Sequence, residues 1–167
     1  MNDFRIRAAT PADLYAVLAF WKDAAEGTSI TDDRDGVERL VARDPESLIL
    51  AERIPGERIP AEPLPGNPLP AGRDGARAGA VIVGTVIAGF DGWRCHLYRL
   101  AVHPGQRRLG IGTALLTAAE ERFAELGGRR GDAMVLDDNE RAHHAWRASG
   151  YGPQPQWTRW VKPLGGG

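Results

Sequence analysis

Cysteine and long apolar runs are the scarcest features of this 167-residue chain. Cys95 is the only cysteine, which excludes an internal disulfide and a zinc site built from thiolates, and suits a reducing compartment. The N-terminal residues MNDFRIRAATPADL lack the apolar core of a signal peptide, and no window of about 18 residues is continuously apolar. We therefore expect a cytoplasmic protein with no membrane partner and no bound metal.

An excess of either sign of charge is also missing. The formal net charge is −1, from 21 basic and 22 acidic residues, so no overall field attracts the chain to nucleic acid. Basic side chains are concentrated locally in two pairs, Arg107 with Arg108 and Arg129 with Arg130. We therefore expect no nucleic-acid partner, and the local pairs favour a small anionic ligand.

Helix and strand signals alternate along the chain in an order typical of α/β proteins. Apolar residues recur at helical spacing after Thr10 and Pro11, whereas alternating or β-branched runs mark strands elsewhere. The order is strand, two helices, three strands, helix, strand, helix, strand. The predicted ranges are strand 4–9, helix 11–25, a helix opening at 32–35, strands 47–53, 79–90 and 95–102, helix 110–126, a strand near 133–136, helix 139–149 and a last strand in QWTRWVKP.

A proline-rich segment interrupts this order. Residues 54–78 hold six prolines and four glycines. Proline lacks an amide donor, so this density excludes a helix or a central strand. We expect a surface insertion within a single domain of residues 1–167, which ends in a flexible tail at 165–167.

The segment RRLGIGTALL, residues 107–116, joins the end of a strand to an apolar helix. The residues His-Pro-Gly at 103–105 stop the strand, so the amides of about 109–113 lie unpaired at the start of the helix. A helix N-terminus carries about half a positive charge and binds phosphate oxygens, and Gly110 and Gly112 let a ligand approach the backbone. The junction is therefore a predicted phosphate site.

Two well-known phosphate-binding loops do not fit this junction. A P-loop requires a lysine followed by serine or threonine, and no lysine occurs between Lys22 and Lys162. A dinucleotide-binding fingerprint requires a third small residue where Leu115 stands, and it opens a first βαβ unit instead of lying late in the chain.

The junction resembles the acyl-CoA motif of the GNAT N-acetyltransferase superfamily, which has Arg or Gln, two variable residues, Gly, one variable residue, and Gly or Ala. Here these positions are Arg107, Gly110 and Gly112. The preceding LAVHP and the following NERAHHAWRASGY, residues 139–151, match further family patterns apart from one position. The resemblance is strong over about 95–151, and it implies a mixed, mostly antiparallel central sheet flanked by helices in a single domain.

The resemblance implies acetyl-CoA as co-substrate. The pyrophosphate would lie on the helix N-terminus, and the pantetheine arm would pair with the backbone of residues 100–102. The amide of Val102 would bind the thioester oxygen and stabilise the oxyanion of acyl transfer. The cofactor-binding residues implied are Leu100, Ala101, Val102, Arg107, Arg108, Leu109, Gly110, Ile111, Gly112, Thr113, Asn139, Ala142 and Trp146.

The second motif contains a departure from the family pattern. Asn139 would bond the arm, cap its helix, or do both, and Ala142 would leave room for the arm. Trp146 occupies the position where many members have a tyrosine that protonates the departing CoA thiolate. Indole offers no usable proton at neutral pH, so the thiolate leaves unprotonated or another acid serves. His143, one turn earlier, is the nearest titratable candidate, with a solvent-facing role as the alternative.

The residue that accepts the proton of the amine is a second departure from the family pattern. Family members often use a glutamate four or six residues before the Val102 position and on the same face, where this chain has Tyr98 and His96. Alternation places His96, Tyr98 and Leu100 on one face of the strand. His96, acting directly or through water, is the candidate base and Tyr98 the second catalytic candidate, while ordinary strand packing is the alternative.

The resemblance implies direct transfer of an acetyl group from acetyl-CoA to a primary amine, on a small molecule, peptide or protein, through a tetrahedral intermediate. Cys95 lies early on its strand and no motif activates it, so we expect no acyl-enzyme. The missing tyrosine motivates an alternative, a non-catalytic acyl-CoA-binding or regulatory module. We expect a monomer or a homodimer.

Overall fold

The structure is a computed structural model that describes residues 3–27, 29–54, 56 and 79–164. The predicted insertion at 54–78 and the tail at 165–167 lie almost wholly outside these residues, so both stay predictions, as does the single domain. The chain divides into two compact units, Met1–Met134 and Val135–Gly167, which are described separately.

A five-stranded sheet forms the centre of the first unit. Its order follows the chain, β1-β2-β3-β4-β5. Neighbours are antiparallel from β1 to β4, whereas β4 and β5 are parallel, which confirms a mixed, mostly antiparallel sheet. The strands are β1 (Arg5–Ala8), β2 (Leu48–Arg53), β3 (Val81–Phe90), β4 (Cys95–Val102) and β5 (Gly131–Ala133).

Helices cover both faces of this sheet. Helices α1 (Leu14–Ala24) and α2 (Arg34–Arg43) pack on one face, and α3 (Ile111–Glu125) packs on the other. Adjacent residues of β3 show the division, since Thr85 accepts a hydrogen bond from Trp21 of α1, whereas a Cβ at Gly84 would meet Ile111 and Leu115 of α3 at 2.8 Å. Gly84 therefore allows α3 to approach the sheet closely.

The apolar core lies between β2, β3 and the helices. Leu48 and Leu50 of β2 contribute to the cluster on the α1 and α2 face together with Val17, whereas Ile49 alternates to the α3 face, and all are fully buried. Burying each such side chain contributes about 1.5–3 kcal/mol. A strand buried on both faces explains why β2 has an apolar run in place of an alternating pattern.

A buried ionic network fixes the entry to α1. Arg7 of β1 donates to both oxygens of Asp13 at 2.7 and 2.8 Å and to Glu52 of β2 at 2.7 Å. Asp13 also accepts from the amide of Thr10, which precedes a short 3₁₀ turn, Pro11–Asp13. The predicted start at Thr10 and Pro11 is confirmed, although the first turn is 3₁₀.

The strand predicted near 133–136 lies earlier, at Gly131–Ala133. These three residues pair with 95–97 of β4. The prediction followed the apolar residues Met134, Val135 and Leu136, but strand limits depend on backbone partners as well as on side-chain type.

The second unit contains α4 (Glu140–Ala148), close to its predicted limits. The last predicted strand, in QWTRWVKP, is wrong, because residues 155–164 form no strand in the structure. Trp157 and Trp160 are exposed there. A strand requires a neighbouring backbone for its hydrogen bonds, and an apolar pattern does not provide one.

Candidate functional site

The C-terminal half of β4 has an open edge. Strand β3 pairs with β4 along one side, but β5 pairs on the other side only with residues 95–97 and ends at Ala133. Among the strands that the structure describes, none pairs with residues 98–102 on that side. An open edge of this kind offers backbone donors and acceptors to an extended ligand.

The backbone of Val102 faces this open edge. His103 donates its amide to the carbonyl of Val83 at 2.9 Å, which makes this a hydrogen-bonded pair of the antiparallel ladder. The adjacent pair, Gly84 with Val102, is then of the non-hydrogen-bonded type, whose N–H and C=O groups point away from the partner strand. In agreement, the Val102 carbonyl accepts from Arg107 Nε at 3.3 Å instead of from β3.

A β-bulge interrupts β4 just before this position. Thr85 pairs with Ala101 and Ile87 pairs with Tyr98, so two steps along β3 match three along β4. Within the bulge, Arg99 has a φ of 51°, in the left-handed region that few arginines occupy.

The bulge changes which residues of β4 lie on the same face of the sheet. Tyr98 and Ala101 lie on the face of α1 and α2, because their partners on β3 are two residues apart. Leu100 therefore does not continue the alternation of His96 and Tyr98, and Val102 lies on the α3 face, opposite to both. The prediction of a common face is right for His96 and Tyr98 and wrong for Leu100, because alternation holds only where no extra residue is inserted.

The turn after β4 positions the start of α3. A short 3₁₀ segment, Pro104–Gln106, follows His103, whose Nδ1 accepts from the amide of Gly105 at 3.1 Å. Gln106 accepts from Arg53 of β2 at 3.1 Å. The first bond closes the turn itself, and the second attaches it to β2.

The two arginines of the motif have different environments. Arg107 is half-buried and its Nε binds the Val102 carbonyl, which ties the turn back to β4. Arg108 is exposed, with a φ of 66°, and Gly110 has a φ of 81°. Left-handed φ values at two positions separated by one residue are typical of turns in which several backbone N–H groups point into the same concave surface.

Three amides precede the first hydrogen bond of α3. That bond runs from Ala114 N–H to the carbonyl of Gly110 at 2.9 Å, so the amides of residues 111–113 have no carbonyl four residues earlier in the helix. An added Cβ at Gly112 would meet only Val102 Cγ2, at an ordinary 3.6 Å, so the helix start lies next to the end of β4. The geometry fits a pyrophosphate on the amides and an arm along β4.

His96 lies between two carboxylates. Its Nε2 is 4.0 Å from Asp91 and its Nδ1 is 3.9 Å from Asp132, and its side chain is 31% exposed. The amides of Arg94 and Trp93 hydrogen-bond Asp91 and lower its pKa, so this carboxylate is ionised at neutral pH. The imidazole ring is therefore flanked by two carboxylates, one on the side of each ring nitrogen.

Tyr98 follows on the same face of β4. Its side chain is 46% exposed, and its ring centroid is 6.0 Å from that of His96. Cys95 begins the strand and is buried, which raises the pKa of its thiol. A buried, protonated thiol is a poor nucleophile.

In the second unit, the predicted residues lie on or next to α4. Asn139 caps the helix, since its Oδ1 accepts from the amide of Ala142 at 2.9 Å. The capping role is confirmed, and the two N–H donors of the side-chain amide are the groups that could bind an arm. Ala142 lies in the first turn and is half-buried.

His143 and Trp146 make contacts of their own within this unit. His143 Nε2 is 3.0 Å from the carbonyl of Leu136, so that nitrogen carries a proton which it donates to the backbone. The Trp146 ring packs edge-on against Tyr151, with 4.9 Å between ring centroids. The histidine therefore helps to fix the loop before α4.

Sequence reasoning missed the group around the bulge. Arg99 donates to Asp32 and to the carbonyl of Gly27, and its own carbonyl accepts from Thr85. The available signal was an arginine inside the otherwise apolar strand end YRLAV. A charged residue in such a position needs partners, and here they come from the loop between α1 and α2.

Two kinds of feature are absent from the described residues. No three His, Cys, Asp or Glu side chains in the described part are grouped as a metal ion requires. No helix within it is long and apolar enough to cross a membrane.

Comparisons with known proteins agree with this geometry. The model of the acetyltransferase (GNAT) family matches residues 30–151, which is more than half of the chain. Acetyltransferase ECA0875 of Pectobacterium atrosepticum is 29% identical and acetyltransferase YE1169 of Yersinia enterocolitica is 27% identical, each over 81% of this chain and 78% of the relative.

The fold is also found among solved structures. The putative acetyltransferase yncA from Salmonella typhimurium, solved with its cofactor acetyl-CoA, matches with a TM-score of 0.62 and 18% identity, over 90% of this chain and 80% of that one. The chain belongs to the acetyltransferase (GNAT) family and is an N-acetyltransferase.

Proposed function

We propose that this protein transfers the acetyl group of acetyl-CoA directly to a primary amine, on a small molecule, peptide or protein, through a tetrahedral intermediate. We further propose that it acts in the cytoplasm, as a monomer or a homodimer. The observation that carries the proposal is the amide of Val102, which faces the open edge of β4 beside the free amides of α3.

Two sets of backbone groups bind two different parts of the cofactor. The amides of residues 111–113, with Arg108 nearby, take the pyrophosphate, because unpaired N–H groups at a helix N-terminus stabilise negative charge. Residues 100–102 take the pantetheine arm along the open edge. The Val102 N–H then stabilises the negative charge that develops on the thioester oxygen.

His96 is the candidate base. The amine nitrogen attacks the carbonyl carbon, the carbon–sulfur bond breaks, and the ammonium proton passes to His96 directly or through one water. Asp91 and Asp132 support this role by position, because one carboxylate lies within 4.0 Å of each nitrogen of the ring that accepts the proton. Tyr98, on the same face, is positioned to bind the amine or the bridging water.

The CoA thiolate leaves without a tyrosine acid at position 146. Trp146 offers one N–H donor, and a thiol with a pKa of about 8.5 is an acceptable leaving group when its thiolate is hydrogen-bonded. His143 remains the alternative acid, although its Nε2 already donates to Leu136.

The tryptophan at position 146 also favours a second candidate function, a non-catalytic acyl-CoA-binding or regulatory module of the same fold. Such a module would keep the backbone donors of β4 and α3 and lose turnover. Binding without transfer is the behaviour that distinguishes it.

Release of free CoA in the presence of amines tests both functions. The panel comprises polyamines, amino acids, aminoglycosides and peptides, each with its N-permethylated tertiary amine as a matched control that cannot form a stable amide. We expect thiol release with at least one primary amine and none with its tertiary control. Binding of acetyl-CoA with no release across the panel would establish the second function instead.

A further inference from the structure

The Arg99 side chain connects the β4 bulge to the loop between α1 and α2. Its Nε donates to Asp32 Oδ1 at 3.1 Å, one terminal nitrogen contacts Asp32 Oδ2, and the other donates to the Gly27 carbonyl at 2.9 Å. The arginine and aspartate side chains are only 13% and 19% exposed. Paired guanidinium and carboxylate groups in this arrangement are geometrically specific as well as strong.

The backbone of Arg99 is held as firmly as its side chain. The Thr85 hydroxyl donates to the Arg99 carbonyl at 2.8 Å and accepts from Trp21 Nε1 at 3.0 Å. The guanidinium also lies over the Trp21 ring, 5.7 Å from its centroid. A left-handed residue other than glycine costs about 1–2 kcal/mol, and such a conformation persists only where surrounding contacts impose it.

Asp32 also organises its own loop. Its Oδ2 accepts from the amide of Ser29 at 2.7 Å, so one carboxylate closes the turn at 29–32 and binds Arg99. The loop is therefore attached, through one arginine side chain, to the bulge that lies immediately before residues 100–102. His96 and Tyr98, the proposed base and its neighbour, lie on the face of the sheet that α1 and α2 cover, so an amine that His96 deprotonates is bound on the face to which Arg99 attaches this loop.

We propose that Arg99 and Asp32 are positioning residues that set the amine acceptor site by fixing the α1–α2 loop against the β4 bulge. The proposal rests on the proposed acetyl transfer. It assigns these two side chains to the acceptor and not to acetyl-CoA, because their contacts lie on the face opposite α3.

Three variants test the proposal, two that remove the ion pair and one that keeps its charge. Asp32→Asn and Arg99→Gln each remove the ion pair, whereas Arg99→Lys keeps the charge and loses the fork of donors. Arg34→Gln is the matched control, since Arg34 pairs with Glu38 on the surface of α2, with side chains 70% and 45% exposed. Circular dichroism and melting identify any variant that fails to fold, and the lysine variant then replaces Arg99→Gln.

Steady-state kinetics give the first measurement. We expect Asp32→Asn and Arg99→Gln to raise the KM of the best amine about tenfold or more, because small displacements of positioning groups have large effects. The KM of acetyl-CoA should stay within about twofold of the wild-type value. The amine KM of the double variant should be no higher than that of either single variant, because both substitutions break the same interaction. Equal increases in both KM values, or an unchanged amine KM, would overturn the proposal.

Hydrogen–deuterium exchange provides a measurement that is independent of activity. We expect amides of residues 25–33 to exchange about tenfold faster in both variants, with α3 unchanged and the Arg34→Gln protein like wild type. Unchanged exchange in the loop would show that the ion pair does not fix it, even if the enzyme is active. If wild type acetylates no amine, the proposed function fails and the acceptor role fails with it, whatever the exchange shows.

Discussion

Gly110 offers the most direct test of the cofactor site. An added Cβ at this position would meet no atom within 4 Å, but the φ of 81° is unfavourable for any other residue. Gly110→Ala and Gly110→Glu therefore carry the same backbone cost, about 1–2 kcal/mol. For a chain of this length, both variants should melt about 2–8 °C below wild type without ligand.

The glutamate variant adds a negative charge where the pyrophosphate would lie. Two unit charges 4 Å apart repel by about 4 kcal/mol at an effective dielectric constant of 20. Because Gly110 is exposed, solvent and salt reduce this value, and we take about 1.4 kcal/mol, or tenfold in Kd, as the lower limit. The alanine variant adds no charge and should keep its affinity within a few-fold.

Thermal shift with acetyl-CoA measures the difference between the two variants. At a concentration of about 100 times the wild-type Kd, binding stabilises the folded protein by about 2.7 kcal/mol. A tenfold weaker Kd reduces that stabilisation to about 1.4 kcal/mol, and a thousandfold weaker Kd reduces it to about 0.1 kcal/mol or less. We therefore expect a shift that survives in Gly110→Ala and falls by half or more in Gly110→Glu.

A full shift in Gly110→Glu would refute the assignment of the pyrophosphate to the start of α3. Loss of the shift in both variants would also contradict the argument, because it would assign the effect to backbone strain and not to charge. Titration calorimetry of the same two proteins separates a change of Kd from a change of stability.

Three further predictions concern protons. His96→Ala should lower kcat/KM for a good amine at least about tenfold, near the low side of the range of about 10² to 10⁴ for general base catalysis. Tyr98→Phe should lower kcat/KM less. Equal losses in the two variants would contradict the assignment of His96 as the base. Trp146→Tyr should preserve or raise kcat and His143→Ala should change it little, and a loss in His143→Ala equal to that of His96→Ala would identify the helix histidine as the acid. Asp13→Asn should destabilise the fold by about 3–5 kcal/mol at neutral pH, measured by urea unfolding, because it removes one of the two carboxylates that pair with the buried Arg7 and leaves only Glu52.

The Asp13 effect depends on pH in a definite direction. Burial alone would raise the pKa of this carboxyl, but the hydrogen bonds from Arg7 and Thr10 and the charge of Arg7 outweigh burial and lower it. The stabilisation is then complete above the pKa of the unfolded side chain, about 3.9, and is lost as the pH falls through the lower folded value. Wild type and Asp13→Asn should therefore differ most above pH 5 and converge in acid. Glu38→Gln, in an exposed pair, should change stability by no more than about 0.5 kcal/mol at any pH.

The order of the elements and the phosphate-binding junction follow from local patterns. Thr10 and Pro11 mark a helix start wherever they occur before helical spacing, and a β-branched run such as 79–90 forms a strand in most contexts. Gly110 identifies the turn into α3, because its φ of 81° uses the conformational freedom of glycine, which is a local property. The family motif depends on the same residues, and for that reason the family could be recognised from the sequence.

Features that depend on partners distant in the chain could not be predicted. QWTRWVKP has the composition of a strand, but its pairing is set by backbone from elsewhere, and it forms none in the structure. The limits of β5 follow its register with residues 95–97, not its own apolar residues. Strand assignment from sequence fails in this way because each backbone hydrogen bond of a strand needs a donor or acceptor from another segment of the chain.

The sequence by itself determined where α3 begins and which amides are unpaired there, since a helix start acts through its own backbone, and this is where we propose that phosphate binds. Only the tertiary structure decided which face each residue of β4 presents. One inserted residue at Arg99 moves Val102 to the opposite face from Tyr98 and turns the Val102 amide to the open edge. That bulge depends on Thr85, Trp21 and Asp32, three residues far from Arg99 in the chain, whose hydrogen bonds offset the strain of its backbone.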